Sequence, residues 1–431
     1  MLEYLHLSNV GPAIDMEMEF ASRLNLITGD NGLGKSFLLD VAWWALTRRW
    51  PAEVNPRVTS GLMARPSRSG PATIEFSFHA KVKKAKFESK FDRRGETWSA
   101  PAGRPGNPGL VLYAQVDGGF AVWDPARNYR KKSVGSDIQP RLPAYVFSSS
   151  EVWTGLQRDT TPICNGILAD WALWQKENGE PFGQLKSVLS SLSPTPEEKL
   201  VPGDLTKISV DDARWIPTLR MPYGIDVPVL TASAAMKRVI ALAYLLVWSW
   251  QEHVRAAAFL DESPTQQVTF LIDEVECHLH PRWQRTIIRS LLSVMRSLAG
   301  EAAVQVIAAT HSPLLLASVE PFFDQEQDAW YDLDLVRQAN RPEVRLSRRI
   351  FVRHGDVSNW LTSEAFDLKS ARSIEAEQAI ERARALLRQK NPPAREEAEM
   401  VDQELQKAAL PDIDPFWVRW GAFMERLEGQ K

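Results

Sequence analysis

The sequence predicts an α/β fold with a mixed sheet, and three stretches carry that prediction. "LITGDNGLGKSFLLD", from Leu26 to Asp40, sets an apolar strand, a loop with three glycines and an apolar helix in immediate succession. "VTFLIDEVECHLHP", from Val268 to Pro281, is a run of strand-favouring residues that stops at two adjacent carboxylates. "VIAATHSP", from Val306 to Pro313, is a second apolar strand that stops at Thr310 and His311. Short buried strands alternating with helical patterns point to parallel strands joined by crossover helices.

In the first stretch, Arg23 to Thr28 reads as the strand and Phe37 to Thr47 as the helix. Between them Gly29, Gly34, Lys35 and Ser36 fit G-x-x-x-x-G-K-[ST] without a mismatch. Backbone N–H groups that point inward at phosphate oxygens need angles that glycine adopts at little steric cost. The helix N-terminus adds partial positive charge. Gly29, Asp30, Asn31, Gly32, Leu33, Gly34, Lys35, Ser36 and Phe37 are therefore the candidate nucleotide-binding residues. Lys35 is placed to reach the β- and γ-phosphates, and the Ser36 hydroxyl to hold Mg²⁺.

Further along, Pro51 to Gly70 reads as a loop. Ala72 to Asp92 alternates with period 2, and Leu110 to Val122 reads as more strand, so antiparallel hairpins are expected on either side of the Pro/Gly-rich loop Ala100 to Gly109. Leu142 to Phe147 is a short strand, Val152 to Asn178 a helix, and Leu185 to Arg220 mixed. Thr231 to Ala258 is a long apolar helix, Gln267 to Ile272 a buried strand, Pro281 to Leu298 a helix and Val304 to Ala309 a buried strand. Val344 to Arg353 reads as a further strand pair. Ser373 to Gln389 is a polar helix ending before Asn391-Pro392-Pro393. The expected organisation is a core split between residues 1–50 and 228–330, an inserted β-hairpin and helical lobe at 51–227, and a strand and helical extension at 331–431.

Bulk properties bound the function class. The chain has 431 residues, 44% hydrophobic and 24% charged, an ordinary globular composition. Two cysteines, Cys164 and Cys277, cannot build a disulfide framework, which fits a reducing compartment. Met1 to Val10 lacks the basic start and apolar run of a signal peptide. Val239 to Trp250 is too short to span a bilayer. A cytoplasmic protein without a membrane segment is expected. Net charge is −3, yet Pro51 to Pro140 carries 15 Lys/Arg against 8 Asp/Glu. Sixteen prolines between Pro51 and Arg220 exclude a long coiled-coil arm, which needs sustained heptads.

The two carboxylates after the second strand, Asp273 and Glu274, have distinct candidate jobs because adjacent strand residues point to opposite faces. Asp273 is placed to hold Mg²⁺ with Ser36. Glu274 is placed to orient and deprotonate a water as general base. Taken alone, an Asp-Glu pair after a strand is often only a turn. Thr310 lies 37 residues after Asp273, at the sheet edge where open α/β folds bind ligands. His311 there either senses the γ-phosphate or merely caps the strand. "ECHLH" lacks the H-E-x-x-H spacing of a zinc site. In "KVKKAKFESKFDRR", Lys81, Lys83, Lys84, Lys86, Lys90, Arg93 and Arg94 either contact DNA phosphates or form the solvated face of an edge hairpin.

With "LIDEVECHLHP", "AATHSP" and the opening "LHLSNVGPAIDMEMEFASRLNLITGDNGLGKS", the chain resembles the ABC-type ATPase superfamily. The resemblance is to its RecF, SMC and overcoming-lysogenization-defect branch, with Val275 where proline is usual. It covers roughly Met1 to Arg49 and Pro228 to Ser318, and implies ATP and Mg²⁺ as cofactors. It also implies a signature motif that completes a partner subunit's site, so a head-to-tail homodimer. "SAAMKR" occupies that place: Ser233, Lys237 and Arg238 fit, whereas Ala235 stands where a glycine lets the backbone approach the partner's γ-phosphate. The Q-loop glutamine of the family is either Gln115 or Gln175. A compact ATPase with no arms and a tail such as "WLTSEAFDLKSARSIEAEQAIERA" is similar to Septu-type and retron-type antiphage ATPase subunits, which work beside a separate HNH nuclease. Three functions follow as expectations: a regulatory ATPase with a separate effector, a DNA-repair or DNA-clamping ATPase using the basic hairpin, or a nucleotide-binding scaffold that barely hydrolyses ATP because of Ala235.

Overall fold

The computed structural model describes residues 1–79, 84–100, 106–129, 141–337, 342–389 and 393–428. By contact the chain divides into two units, Met1–Gly355 and Asp356–Lys431.

The first unit opens with the antiparallel pair β1 (Leu2–Ser8) and β2 (Asp15–Glu19), whose alternation buries Leu5, Leu7, Met16 and Met18 on one face. β3 (Leu24–Gly29) follows and feeds α1 (Lys35–Thr47), then a short helix, α2 (Pro51–Val54). The hairpin β4 (Thr73–His79) and β5 (Lys84–Asp92), with β6 (Thr97–Trp98), joins β1 in a five-stranded antiparallel sheet ordered β2-β1-β4-β5-β6. Next come β7 (Leu110–Ala114), β8 (Phe120–Trp123), α3 (Pro125–Asn128), β9 (Tyr145–Phe147) and α4 (Ser149–Thr154). A hairpin of β10 (Leu156–Arg158) and β11 (Thr161–Cys164) leads to α5 (Gly166–Glu177) and α6 (Glu180–Ser191). A small sheet of β12 (Val201–Pro202), β13 (Thr218–Arg220) and β14 (Asp226–Pro228) precedes the long α7 (Ala234–Phe259). The unit finishes with β15 (Gln267–Ile272), α8 (Pro281–Gln284), α9 (Ile287–Ala299), β16 (Ala303–Ala309), α10 (Pro313–Val319) and the ribbon β17 (Asp328–Arg337) and β18 (Pro342–Arg349).

The main sheet has eight strands ordered β18-β17-β3-β16-β15-β7-β8-β9. Its five central strands, β17 to β7, are parallel, and antiparallel strands close both edges. A parallel centre beside a separate antiparallel sheet is the mixed α/β architecture that the sequence predicts. α1 touches β1 of the antiparallel sheet and β3, β7, β15 and β16 of the main sheet. It is accordingly apolar on nearly every face, with Trp43, Val41 and Ala45 fully buried. Truncating Trp43 to alanine would cost roughly 3–5 kcal/mol. Buried Gln305 stitches the two sheets: its amide accepts from Leu2 N at 2.9 Å and donates to the Leu2 and Ala21 carbonyls at 2.8 Å. The second unit holds α11 (Val357–Leu361), α12 (Ile374–Leu387), α13 (Arg395–Lys407) and α14 (Phe416–Glu428), around a core of its own that includes Ala383, Leu405 and Trp420. Among the described residues no helix is long and apolar enough to cross a membrane.

Several local expectations are corrected. Val152 to Asn178 is not one helix: Gly155 and Gly166, both at positive φ, and Asp159 at φ 53° turn the chain through the β10–β11 hairpin. Pro281 to Leu298 breaks after α8, where Thr286 is held at φ −120°, outside the helical range. Pro51 to Gly70, read as loop, contains α2. The expected strand pair at Val344 to Arg353 is β18 paired with the earlier β17. The acidic residues of "DAWYDLDLVR" hide β17 from a pattern search. Two of them are buried and paired: Asp328 accepts from Arg23 Nε at 2.8 Å, and Asp332 from the Thr28 hydroxyl at 2.7 Å.

Asp40 on α1 yields a test of this packing. Its carboxylate accepts the Tyr113 hydroxyl of β7 at 2.9 Å. Burial pushes its pKa up to about 7, against the opposing Tyr113 hydrogen bond. The folded chain thus holds this proton more tightly than the unfolded chain, so the stabilisation is complete below about pH 4 and is lost as pH rises through 7. Asp40→Asn, which keeps the acceptor, should raise the unfolding free energy in metal-free buffer more at pH 8 than at pH 4.5, by a difference of at most a few kcal/mol, read from denaturant titrations at the two pH values. An equal gain at both values would show that Asp40 is ionised throughout.

Candidate active site

β3, β16, β15 and β7 end together at one edge of the main sheet, and the loops after them supply the candidate residues. After β3 the chain turns through Gly29, Gly32 and Gly34, all at positive φ, into α1. At Gly29 a Cβ would lie 2.3 Å from the Leu333 carbonyl of β17, and at Gly34, the N-cap of α1, 2.6 Å from Pro12 Cγ. Both positions need glycine for space as well as for φ. Asp30, Asn31 and Gly32 are exposed at the crest, Ser36 and Phe37 are half-buried, and Leu33 is buried. Lys35 is 5% exposed and folded back on the loop, donating to the Gly29 and Asp30 carbonyls at 2.7 and 2.8 Å. Burial lowers its pKa, while Glu274, Asp273 and Asp30 oppose that. An anion entering the loop has a ready, partly desolvated ammonium to meet.

Asp273 and Glu274 follow β15 and are divided by environment. Asp273 is buried, its pKa raised by burial against a hydrogen bond from Ser36. Among the described residues its Oδ1 has no hydrogen-bond partner. Gln115, directly after β7, is also fully buried, and both its amide atoms lack partners among the described residues. The two sit side by side, because Asp273 N donates to Ala114 O at 2.9 Å and Arg238 donates to both the Gln115 and the Asp273 carbonyls. The Ser36 hydroxyl, together with a carboxylate oxygen and an amide oxygen that lack partners among the described residues, fits the oxygen-rich shell that Mg²⁺ takes. Gln175 instead accepts from Trp171 Nε1 and donates to the Gly203 carbonyl, far along the chain from this edge. Of the two candidate glutamines, Gln115 is the one that lies at this edge.

Glu274 is held at φ 42°, in the left-handed region, with a half-exposed side chain whose Oε1 is 3.8 Å from His311 Nε2. A non-glycine residue in that region is a local strain that surrounding structure must sustain. Burial and the Lys35 ammonium both lower the His311 pKa, with Glu274 and Asp30 opposing, so the ring is neutral near pH 7 and can donate or accept. The mutual fields of Lys35, Asp30, Asp273, Glu274 and His311 show that these groups converge on one site.

Ser233 and Ala235 of the signature segment are not part of that cluster. Ser233 is exposed and caps α7 by accepting from Met236 N at 3.3 Å, and Ala235 lies in the first turn. Among the described residues no hydrogen bond or ion pair joins either to the phosphate loop. Arg238 differs from a helix-surface residue: its guanidinium is inside this chain's own site, bonded to the Gln115 carbonyl at 2.7 Å. Sequence reasoning also missed Glu276, whose carboxylate accepts the His311 N–H. The signal was present, since "DEVE" packs three carboxylates into four residues. Of the basic hairpin, Lys81 and Lys83 lie outside the described residues, as does the Lys84 side chain. Lys86 and Lys90 are exposed, but Lys90 pairs with Glu88 at 3.2 Å, Glu75 lies opposite Glu88, and Arg93 is bonded to the Arg68 and Gly70 carbonyls.

The chain can now be set beside known proteins. It is 27% identical over 120 residues to the retron Vc95 probable ATPase of Vibrio cholerae serotype O1 biovar El Tor, a match covering 27% of this chain and 21% of that protein. The chain thus spans about a fifth of the length of that curated relative. Among solved structures it is similar to the SMC head domain from Thermotoga maritima, at 16% identity and TM-score 0.39, covering 81% of this chain and 99% of that one. It is also similar to the recombination mediator protein RecF, at 14% identity and TM-score 0.37, covering 77% and 95%. Residues 24–317, from β3 to α10 and so including every loop of the site, match the family described as AAA domain, putative AbiEii toxin, Type IV TA system, and the chain belongs to that family.

Proposed function

We propose that this chain binds ATP with Mg²⁺ in the loop Gly29–Ser36 and hydrolyses it, as the regulatory ATPase of a bacterial antiphage defence system with a separate nuclease. The observation that carries the enzymatic part is the convergence of Lys35, Ser36, Asp273, Glu274 and His311 at one sheet edge. The likeness to a retron ATPase supports the defence part. Ser36, Asp273 and Gln115 would hold Mg²⁺, which would supply charge neutralisation for the phosphates. Lys35 leaves its two carbonyls for the β- and γ-phosphates. Glu274 accepts a proton from water as that water attacks the γ-phosphorus in line. The bond from the γ-phosphorus to the bridging oxygen breaks, and its electron pair leaves with ADP. His311 donates to the γ-phosphate and orients the water. The signature residues Ser233 and Ala235 face a second copy in a head-to-tail homodimer, as the exposure of Ser233 and the lack of any bond from either to the phosphate loop among the described residues allow.

Three outcomes test this reading. Lys35→Ala should abolish ATP binding, measured by titration with a fluorescent ATP analogue. Glu274→Gln should keep binding but slow phosphate release by about 10²–10⁴-fold, the usual range for a lost general base. An unchanged rate would show that Glu274 is not the base. The rate per subunit should climb with protein concentration if the site is completed by a second copy, and a flat rate would make the monomer the active form. DNA clamping through Lys86 and Lys90 predicts stimulation by duplex DNA, which Lys86→Glu with Lys90→Glu would remove.

A further inference from the structure

His311 stands where the main sheet runs out of hydrogen-bond partners. The ladder between β15 and β16 ends at Ile272 and Ala308; beyond it the Thr310 N–H still reaches β3, whereas among the described residues no strand receives the His311 N–H. Thr310 N donates to Ile27 O of β3 at 3.0 Å, two residues before Gly29. His311 N donates instead to the Glu276 carboxylate, which also takes the Thr310 hydroxyl. Next to it, Val275 N donates to Ala309 O at 3.3 Å. The turn after β15 and the end of β16 are thereby zipped together by one backbone bond and one side chain. Glu274, whose Oε1 is 3.8 Å from the His311 ring, is two residues from Glu276 on the same turn.

We propose that Glu276 is a positioning residue for the hydrolytic step, fixing the His311 backbone so that its imidazole sits between Glu274 and the γ-phosphate. The proposal rests on the ATPase reading above. The part-buried His311 N–H calls for an acceptor, and a neutral one would satisfy it. Glu276 offers a carboxylate instead, with its second oxygen buried and without a hydrogen-bond partner among the described residues. Charge-assisted bonds are shorter and stronger than neutral ones, and an enclosed carboxylate is otherwise a cost. Local choices that lower stability are expected where geometry serves chemistry. The pairing also carries information: the carboxylate that sets His311 rides on the same short turn as the general base, so the two groups move as one body.

The test is phosphate release by Glu276→Ala and Glu276→Gln, each alone and with His311→Ala, together with hydrogen exchange at the His311 amide. In Glu276→Ala, kcat should fall about 10–100-fold while KM for ATP stays within about threefold, because the phosphate loop is untouched. Glu276→Gln keeps an acceptor oxygen and should recover most of that loss. The double variant Glu276→Ala with His311→Ala should be no slower than His311→Ala alone, since Glu276 acts through His311. Exchange at His311 should quicken in Glu276→Ala and stay near the parent value in Glu276→Gln. Losses that multiply in the double variant, or an unchanged kcat in Glu276→Ala, overturn the proposal. If the parent protein turns over no ATP, the hydrolysis reading falls by itself. The exchange result then decides, and unaltered protection of His311 in Glu276→Ala overturns the assignment.

Discussion

Parallel register is the constraint on which the rest of this molecule depends. β17, β3, β16, β15 and β7 run the same way, and the register of their ladders brings Ile27, Ala309, Ile272 and Ala114 to one edge. Each strand then releases a loop at the same height: the phosphate loop after β3, Asp273 and Glu274 after β15, Thr310 and His311 after β16, and Gln115 after β7. Slipping one strand by a single residue would turn its side chains to the other face and dismantle the cluster. The site is a property of the ladder before it is a property of any residue in it.

What secures the ladder is burial on both faces. α1 lies against strands of both sheets, and its tryptophans spread the contact: Trp43 packs near Tyr113, and Trp44 stacks on Trp50 with ring centroids 5.4 Å apart. Because α1 begins at Lys35, the packing that anchors the helix also fixes the ammonium and the Ser36 hydroxyl at its first turn. Polar seams do the rest. Gln305 joins β1 to β16, Arg23 joins β3 to Asp328, and the chain Trp330, Thr28 and Asp332 braces the strand that carries the phosphate loop from behind. Satisfied buried networks of this kind specify one arrangement more than they add stability.

The site itself is divided between groups that are locked and groups that are free. Asp273, Gln115 and Lys35 are buried, and among the described residues the first two keep polar atoms without hydrogen-bond partners. Glu274 is half-exposed on a strained turn, and His311 is anchored through its backbone with its ring left open. Arg238 adds a link in the other direction. It ties the first turns of α7, which begin at the exposed Ser233, to the carbonyls of Gln115 and Asp273. The N-terminus of α7 is thereby joined to the edge where β7 and β15 end.

The phosphate loop, the strand-end carboxylates and the strand-end histidine were legible in the sequence because each is a local pattern: a run of apolar residues followed within a few positions by the groups that do chemistry. The mixed sheet and the helical tail were legible for the same reason. The parts that were not legible depend on partners far away in the chain. β17 reads as a polar segment until Arg23 and Thr28, some 300 residues earlier, are brought against Asp328 and Asp332. The helix expected at Val152 to Asn178 has the right spacing of apolar residues, but Gly155 and Gly166 turn out of it where the tertiary fold needs a hairpin. Gln115 and Gln175 were equivalent in sequence, and only the position of β7 beside β15 separates them. Glu276 is one carboxylate among three until β16 delivers an unpaired N–H to it. Local patterning singled out the candidate residues. The fold decided which of them meet, because hydrogen-bond satisfaction and burial are settled between strands that the chain order keeps apart.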